Sequence, residues 1–268
     1  MKIEVLGTVQ DGGVPHMDCS CRVCEEARQD CSKQRYVHAV MLKENDDENS
    51  IRYLIGASPD IRNQIKGEFL DGVFVSDDHL GDITGLLFLG ESSMDASGVP
   101  VYCAEGVKDF IMKNDPYRYM VDRGNIETEV VDEGEEVEVQ GGHVEPREVI
   151  HRGDYADALS FMIHGEDKKL YYVSDLDKWT EDAIESVKEA DIAIVDGCFW
   201  TKEELDRFEE VPHPPIKESM ETFSDVDTEI YFTHMNHTNP VLLEDSDERK
   251  EMEEKGFQIV ERGMEFEI

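Results

Sequence analysis

Three cysteines stand close together near the start of the chain, as Cys19, Cys21 and Cys24. Thiols this close are too near one another for an ordinary disulfide framework, and they are typical of a metal site in a reducing compartment. Tetrahedral zinc takes four soft or borderline ligands, and three cysteines with one histidine are a common set. We therefore expect a structural zinc site that a distant histidine completes. The alternative is three unpaired buried thiols, which this spacing disfavours.

Histidines and carboxylates also follow several predicted strands, where loops hold side chains firmly while leaving them accessible. The members of this second group are His79, His151, His234 and His237, with Asp77, Asp82 and Asp175. A cluster of this kind from several strand ends is the layout of a metal site. Any single aspartate could equally be a surface acid, so the prediction depends on the set. The sequence leaves open whether His213, in a proline-framed turn, faces this site or solvent, and it gives no functional argument for His38.

The charge of the chain limits its partners. Its 268 residues include 26 Lys and Arg against 63 Asp and Glu, a formal net charge of −37. This acidity disfavours nucleic acid and anionic membranes as partners, because both bind clustered cations. Hydrophobic residues still make up 39% and recur periodically, so we expect a packed core rather than disorder. The spread of acidic residues indicates a salt-adapted organism, whose counterions screen self-repulsion. The sequence shows neither a signal peptide nor a long apolar run, which favours a cytoplasmic location.

The order of predicted elements indicates the fold class. Strands and helices are mixed along the chain, and no linker, repeat or low-complexity block divides it. The pattern predicts one α/β domain over residues 1–268, with two sheets and outer helices rather than a doubly wound sheet. The predicted elements include a hairpin of 159–164 with 170–173 and a helix over 83–92. The chain has no glycine-rich phosphate loop of Walker or Rossmann form, which disfavours a nucleotide-dependent enzyme.

The segment VSDDHLGDITGL, residues 75–86, resembles the His-x-His-x-Asp-His loop of the metallo-β-lactamase fold. In this loop Asp77 and His79 stand at the first two histidine positions. Gly81 stands at the aspartate position and Asp82 at the last histidine position. The chain more closely resembles the pyrroloquinoline-quinone (PQQ) biosynthesis protein B family over nearly its whole length. The shared segments are LGT (6–8), CxCxxC (19–24), ASPDIRxQI (57–65), TGLL (84–87), DGxF (196–199) and TNPVL (238–242).

The resemblance implies a metallo-β-lactamase-type αββα sandwich of two mixed β-sheets, with outer helices and a metal groove at one edge. The groove ligands that it implies are Asp77, His79 and His151 at one position and Asp82, Asp175 and His234 at the other. The chain is also similar to the phosphonate-pathway cyclic phosphodiesterase, in which three cysteines and one histidine hold structural zinc. By that likeness His237 completes the thiol site. In the quinone family the fourth zinc ligand could instead match His234, so both assignments stay open.

Three functions are compatible with these residues. We favour hydrolysis of an ester or phosphodiester by metal-activated water, since most of the fold does such chemistry. The alternative is iron-dependent hydroxylation in quinone-cofactor biosynthesis, because Asp77, His79 and His151 match the two-histidine, one-carboxylate iron set. A third possible function is that of a non-catalytic binding protein with only the structural zinc. It is suggested by Gly81, which provides no carboxylate for a groove metal at the motif's aspartate position. For the enzyme we expect one or two groove metals, Zn, Mn or Fe, and a small-molecule or short-peptide substrate. The sequence does not decide whether the protein is a homodimer.

Overall fold

The structure is a computed structural model that describes residues 1–45, 50–65, 69–152, 158–205 and 208–268. Within these residues the backbone forms two sheets of seven strands each. The sheets pack against each other, and helices cover their outer faces. This arrangement confirms the predicted α/β sandwich of two mixed sheets with outer helices.

The first sheet combines an antiparallel half and a parallel half. Its strands are β1 (Lys2–Gly7), β2 (Ala39–Lys43), β3 (Arg52–Ile55), β4 (Gly72–Phe74), β5 (Val99–Cys103), β6 (Ile126–Val130) and β14 (Glu265–Glu267). Their spatial order is β14-β1-β2-β3-β4-β5-β6. Pairing is antiparallel from β14 to β3 and parallel from β3 to β6. The carboxyl end of β4 therefore opens at the same edge as those of β3 and β5.

The second sheet has the same mixed character. Its strands are β7 (Val137–Val139), β8 (Gly142–Val149), β9 (Ala158–His164), β10 (Lys169–Val173), β11 (Ile192–Asp196), β12 (Glu229–Thr233) and β13 (Gln258–Ile259). Their order is β13-β12-β11-β10-β9-β8-β7, and β10 to β13 are parallel. Because β10, β11 and β12 are neighbours, the polar residues that follow them meet at one edge of the sheet.

Eight α-helices and several short 3₁₀ turns connect the strands in the described residues. The helices are α1 (Arg22–Gln29), α2 (Ile61–Gln64), α3 (Leu80–Ile83), α4 (Glu105–Lys113), α5 (Asp115–Asp122), α6 (Glu181–Glu189), α7 (Ile216–Thr222) and α8 (Asp247–Glu254). The 3₁₀ turns are Cys31–Lys33, Thr84–Leu89, Lys202–Glu204, Phe208–Glu210 and Pro240–Leu242. Side-chain caps begin two of the helices: Thr180 accepts from Ala183 N, and Ser246 accepts from Arg249 N. None of the described helices has the length and apolar content needed to cross a membrane.

Three apolar cores hold the layers together. The central core lies between the sheets, where Phe74 of the first sheet meets Phe161 of the second, with ring centroids 5.6 Å apart. One outer core packs α4 and α5 on the first sheet, and the other packs α6, α7 and α8 on the second. Burial of each such large side chain contributes about 1.5–3 kcal/mol. The central core fixes the distance between the two sheet edges that carry the polar loops.

The predicted hairpin is confirmed, since β9 and β10 pair antiparallel. The predicted helix over 83–92 is wrong: α3 ends at Ile83, and a 3₁₀ turn continues to Leu89. Gly85 explains the difference. A Cβ at this position would stand 2.4 Å from Ser58 O, and Gly85 N donates to Ala57 O at 2.7 Å. This close backbone approach requires glycine, which is a poor former of helix interiors.

Candidate metal centres

The clustered thiols meet His237 in one compact group. Cys24 lies inside α1, and Cys19 and Cys21 lie just before it, whereas His237 lies on the loop after β12. His237 Nδ1 is 3.3 Å from Cys19 Sγ and 3.8 Å from Cys21 Sγ. Ligands of tetrahedral zinc, at about 2.3 Å for sulfur and 2.0 Å for nitrogen, stand about 3.5 Å apart. The four ligand atoms, all within 4.8 Å of one another, therefore fit a closed zinc site.

The surroundings of this thiol centre also favour a cation. His16 N donates to Cys24 Sγ at 3.3 Å, and Cys21 N donates to Cys19 Sγ at 3.4 Å. The His16 ring stacks on His237, with centroids 4.3 Å apart. Burial raises the pKa of the Cys24 thiol to about 12, and a bound metal ion would offset this by stabilising the thiolate.

A second cluster joins Asp77, His79 and His151. The first two follow β4 and the third follows β8, so the two sheets contribute to one group. His79 Nδ1 lies 2.9 Å from Asp77 Oδ2 and 3.2 Å from His151 Nε2. Although burial opposes its charged form, ion pairing with Asp77 raises the pKa of His79 to about 9. The three ligand atoms lie within 4.8 Å of one another, which fits one metal ion.

Asp175 connects this cluster to the far side of the groove. Its carboxylate follows β10 and divides its two oxygens between opposite partners. Oδ1 lies 3.5 Å from His151 Nε2, and Oδ2 lies 3.2 Å from His234 Nε2. His234 follows β12 with φ of 57°, a left-handed conformation that is uncommon for residues other than glycine. Such backbone conformations persist where the surroundings impose them, and they cluster at functional sites. We call the set of Asp77, His79, His151, Asp175 and His234 the groove site.

An aspartate–histidine pair borders the groove site. Asp196, the last residue of β11, is fully buried, and its Oδ2 accepts from His213 Nδ1 at 2.7 Å. Its Oδ1 accepts from Cys198 N at 2.8 Å. His213 Nδ1 is also 3.6 Å from Asp175 Oδ1. Since Nδ1 donates to Asp196, Nε2 of His213 is left without a hydrogen in the neutral ring, as in an oriented acid–base histidine.

A third group stands beside His234. His38, completely buried, points Nε2 at Asp82 Oδ2 over 3.5 Å, and Ser76 donates to the other oxygen of Asp82. Asp11 Oδ1 lies 4.0 Å from His234 Nε2. Burial would raise the pKa of Asp11, but its interaction with His234 holds that pKa below the usual carboxyl range. Asp11, His38 and His234 offer ligand atoms within 4.8 Å of one another.

Two loops serve the thiol centre and the groove at once. The loop after β1 carries Asp11 and, eight residues later, Cys19. The loop after β12 carries His234 and His237. Backbone bonds tie the loops together, because Gln10 N donates to Met235 O at 3.1 Å. The position of each loop therefore determines where side chains of both centres lie.

Buried polar atoms without partners test whether metal ions fit these residues. Within the described residues, several ring nitrogens and carboxylate oxygens are buried and lack any hydrogen bond. They are His38 Nε2, Asp77 Oδ2, Asp82 Oδ2, His151 Nδ1, His213 Nε2, and both ring nitrogens of His234. Three of them still have an oppositely charged group nearby: Asp77 Oδ2 lies 2.9 Å from His79 Nδ1, His151 Nδ1 lies 3.2 Å from Asp177 Oδ1, and His234 Nε2 lies 3.2 Å from Asp175 Oδ2. A buried polar group without a partner costs about 1–3 kcal/mol. Cations bound between imidazole and carboxylate groups would satisfy these atoms, so the residues fit metal ions.

Residues 51–235 match the model of the β-lactamase superfamily domain. The chain belongs to the β-lactamase superfamily. Among its relatives, Coenzyme PQQ synthesis protein B of Acinetobacter baumannii (strain SDF) is 26% identical over 313 aligned positions that cover 100% of both chains. The crystal structure of Zn²⁺-bound PqqB from Methylobacterium extorquens matches with a TM-score of 0.85 and 23% identity, over 100% of both chains. A diphosphatase from the PhnP family matches with a TM-score of 0.74 and 23% identity, over 100% of this chain and 96% of that one. These likenesses confirm the predicted fold and the predicted family resemblance.

The motif loop of this chain, residues 75–86, supplies fewer side chains to the groove than the His-x-His-x-Asp-His pattern would. Of its four motif positions, only Asp77 and His79 reach the groove site. Gly81 offers no side chain, and Asp82 faces His38 and Ser76. The sequence left open whether His234 or His237 lies with the three cysteines. In the structure His237 contacts the thiols, and His234 contacts Asp175. The ligand roles of all these residues stay predictions.

Sequence reasoning gave no role to three residues that lie at the groove. Asp196 stands at the end of a buried strand, as Asp175 does, so the same sequence pattern could have identified it. Asp11 looks like a turn residue before two glycines, and His38 like part of a strand. Their positions depend on tertiary structure, which no local pattern reports. The open question for His213 has an answer, since its side chain is buried beside the groove site.

Proposed function

We propose that this chain is a metal-dependent hydrolase of a phosphodiester or a related ester. The observation that carries the proposal is Asp175, whose two oxygens face His151 on one side and His234 on the other. A carboxylate shared in this way is what two adjacent metal ions require between them. Two-metal sites stabilise the attacking and leaving oxygens of an in-line displacement.

The residues that would hold the first ion are Asp77, His79 and His151, with Asp175 between the two positions. When bound, such ions lower the pKa of a water molecule towards neutrality and polarise the phosphoryl group. With 63 acidic residues in the chain, attraction of an anionic substrate depends on bound cations rather than on the field of the protein.

His213 is the residue that we assign to proton transfer. The Asp196 carboxylate fixes its ring through Nδ1, at 2.7 Å. In the proposed step a water molecule releases one proton to solvent, its oxygen adds to phosphorus, and the bond from phosphorus to the leaving oxygen breaks. The leaving oxygen takes a proton from Nε2 of the protonated His213 ring. Positioned acid–base groups of this kind contribute about 10²–10⁴-fold to rate.

The names of similar proteins support two different functions. The matched diphosphatase from the PhnP family supports phosphate-ester hydrolysis. The relatives named Coenzyme PQQ synthesis protein B support a second candidate, a role in PQQ-type cofactor biosynthesis. For that role the set Asp77, His79 and His151 suits Fe(II). The reaction would be hydroxylation of a tyrosine-like ring, in which dioxygen gives one oxygen atom to the ring. An external two-electron donor and two protons would reduce the other atom to water.

We also propose the cellular environment in which the protein works. A net charge of −37 suits a salt-adapted organism, because dense counterions screen the repulsion between carboxylates. Three neighbouring thiols suit a reducing cytoplasm, where they are free to hold zinc. We expect a small-molecule substrate and no nucleic-acid partner.

The test measures metal content and turnover together. Zinc-loaded protein in concentrated KCl is supplied anaerobically with Mn(II), and bis(p-nitrophenyl) phosphate is the substrate. We expect p-nitrophenolate release that depends on the added metal and is lost in His151→Ala. The control is His143→Ala, which changes a histidine of β8 in the same sheet but outside the groove site.

Other outcomes distinguish the candidates. Metal uptake without hydrolysis, but with oxygen consumption after loading with Fe(II), an added electron donor and a tyrosine-like substrate, would replace the hydrolase by the hydroxylase. Absence of any groove metal after loading with Mn(II), Zn(II) or Fe(II) would contradict both enzymes and leave a binding protein with a structural zinc.

A further inference from the structure

The motif loop lacks two groups that a second groove metal would need from it. Gly81 stands at the motif's aspartate position and has no side chain. Asp82 stands at the last histidine position, with its carboxylate held by Ser76 and turned towards His38. Only Asp175 and His234 remain on this side from the predicted set. Two amino-acid ligands are fewer than the three or four that zinc takes in proteins.

Asp11 occupies the space that Gly81 leaves empty. A Cβ built at position 81 would lie 2.4 Å from Asp11 Oδ1, well inside contact distance. The same Cβ would lie 3.1 Å from His38 Nε2. Gly81 does not have a left-handed backbone, so the space around it, rather than its conformation, decides which residue fits. The carboxylate of Asp11 thus stands next to where the motif's own aspartate would begin.

The ligand atoms around Asp11 lie close together, since those of Asp11, His38 and His234 are within 4.8 Å of one another. Its Oδ1 lies 4.0 Å from His234 Nε2, which lies 3.2 Å from Asp175 Oδ2. The rings of His38 and His234 meet edge to face, with centroids 4.7 Å apart. Nε2 of each ring is buried and has no hydrogen-bond partner among the described residues. Ligands about 2.1 Å from one ion stand between about 3 and 4.2 Å apart, so these separations fit one ion.

We propose that Asp11 and His38, which lie outside the motif loop, hold the second groove metal together with His234 and the shared Asp175. The proposal rests on the proposed function, since it completes the two-metal site. Two imidazoles and two carboxylates are a borderline to hard set, which suits Zn(II), Mn(II) or Fe(II). The second position thus takes ligands from the loop after β1 and from the residue that precedes β2, while the first keeps its motif ligands.

The test counts metal ions and does not depend on turnover. Mn(II), monitored by its electron paramagnetic resonance, is titrated into zinc-loaded protein in concentrated KCl, which suppresses weak binding to surface acids. We expect two tight sites in the unmodified protein. In Asp11→Asn and His38→Gln the second site should weaken by more than the about 10–100-fold that loss of an outer-shell partner costs. Asp167→Asn, which makes the same charge change in the exposed β9–β10 turn, should keep both sites.

A relocated carboxylate gives a sharper test. Gly81→Asp alone should disturb the site, because the new side chain meets Asp11. The double variant Asp11→Ala/Gly81→Asp removes that collision and returns a carboxylate from the motif position, so the second Mn(II) site should recover. Two sites that persist unchanged in both Asp11→Asn and His38→Gln would overturn the inference and leave the proposed function intact. One groove site in the unmodified protein would overturn the inference and, with it, the two-metal form of the proposed hydrolase. No groove site at all would overturn both.

Discussion

Asp196→Asn tests the groove geometry through one atom replacement. The buried carboxylate accepts through Oδ2 from His213 Nδ1 at 2.7 Å and from Leu176 N at 3.4 Å, and through Oδ1 from Cys198 N at 2.8 Å. Asparagine offers one acceptor oxygen of similar shape, so the donors on one side must lose their partner. Cys198 N makes the shorter of the two backbone bonds, so we expect the amide oxygen to keep it and the new amide group to face His213. The ring must lose its bond or move its hydrogen to Nε2.

The magnitude follows from these contacts. A hydrogen bond to a charged group contributes about 1.5–3 kcal/mol, and a buried donor left without a partner costs about 1–3 kcal/mol. Both figures describe the same lost bond, so we expect the free energy of unfolding to fall by about 2 kcal/mol. Either response of His213 changes the state of Nε2. Because positioned acid–base groups contribute about 10²–10⁴-fold, turnover of the phosphodiester should fall by at least about 100-fold.

Urea unfolding at fixed KCl and metal concentration measures the first effect, and p-nitrophenolate release measures the second. Asp191→Asn is the matched control, since Asp191 directly precedes the same strand and accepts from Lys169 N at an exposed position. Surface changes of this kind usually stay within about 0.5 kcal/mol. If Asp196→Asn behaved like that control in stability and turnover, the assigned role of the Asp196–His213 pair would be refuted.

Three further predictions concern the thiols and the charge. Cys24→Ser should reduce the zinc content from about one ion to none and lower the melting temperature, because structural zinc contributes folding free energy directly; unchanged zinc by elemental analysis would contradict this. In the native protein a maleimide should label the exposed Cys31, whereas Cys103 should stay unlabelled at pH 8, since burial raises its pKa to about 12; peptide mass spectrometry decides, and early labelling of Cys103 would count against the structure. Dialysis from concentrated KCl into dilute buffer should lower the melting temperature, because the screening length grows from about 3 Å at 1 M to about 30 Å at 0.01 M salt while the net charge stays at −37. A melting temperature that does not change would remove the argument for salt adaptation.

The sequence predicted the parts of the molecule that depend on chain order. The paired sheets follow from alternating apolar runs, and the family resemblance follows from segments spread along the chain. Asp175 and His234 were grouped at one metal position by the resemblance, and the structure brings them together because both follow strands of one parallel set, on either side of β11. Asp77 and His151 come from different sheets; their strand-end positions put them in one general cluster, and only the resemblance assigned them to the same metal position.

The remaining features depend on contacts between distant segments. Asp11 follows β1 in what looks like an ordinary turn, and its relation to Gly81 exists only after the sheet has formed. His38 precedes β2 in an apolar run, where a histidine is usually a core residue. Gly85 reads as a tolerable helix residue until the carbonyls of Ala57 and Ser58 close on it. In each case the deciding quantity is a distance across the fold, which no local pattern contains.

The two loops that carry both candidate metal centres would make metal binding at one centre depend on metal binding at the other. Zinc at Cys19 and His237 would restrict the same loops that carry Asp11 and His234, which are bonded to each other through Gln10 and Met235. Any conformational freedom that zinc removes need not be removed again when a groove ion binds. Positive cooperativity then follows without a change of shape. Since such coupling is reciprocal, a filled groove must tighten the hold on zinc by the same factor.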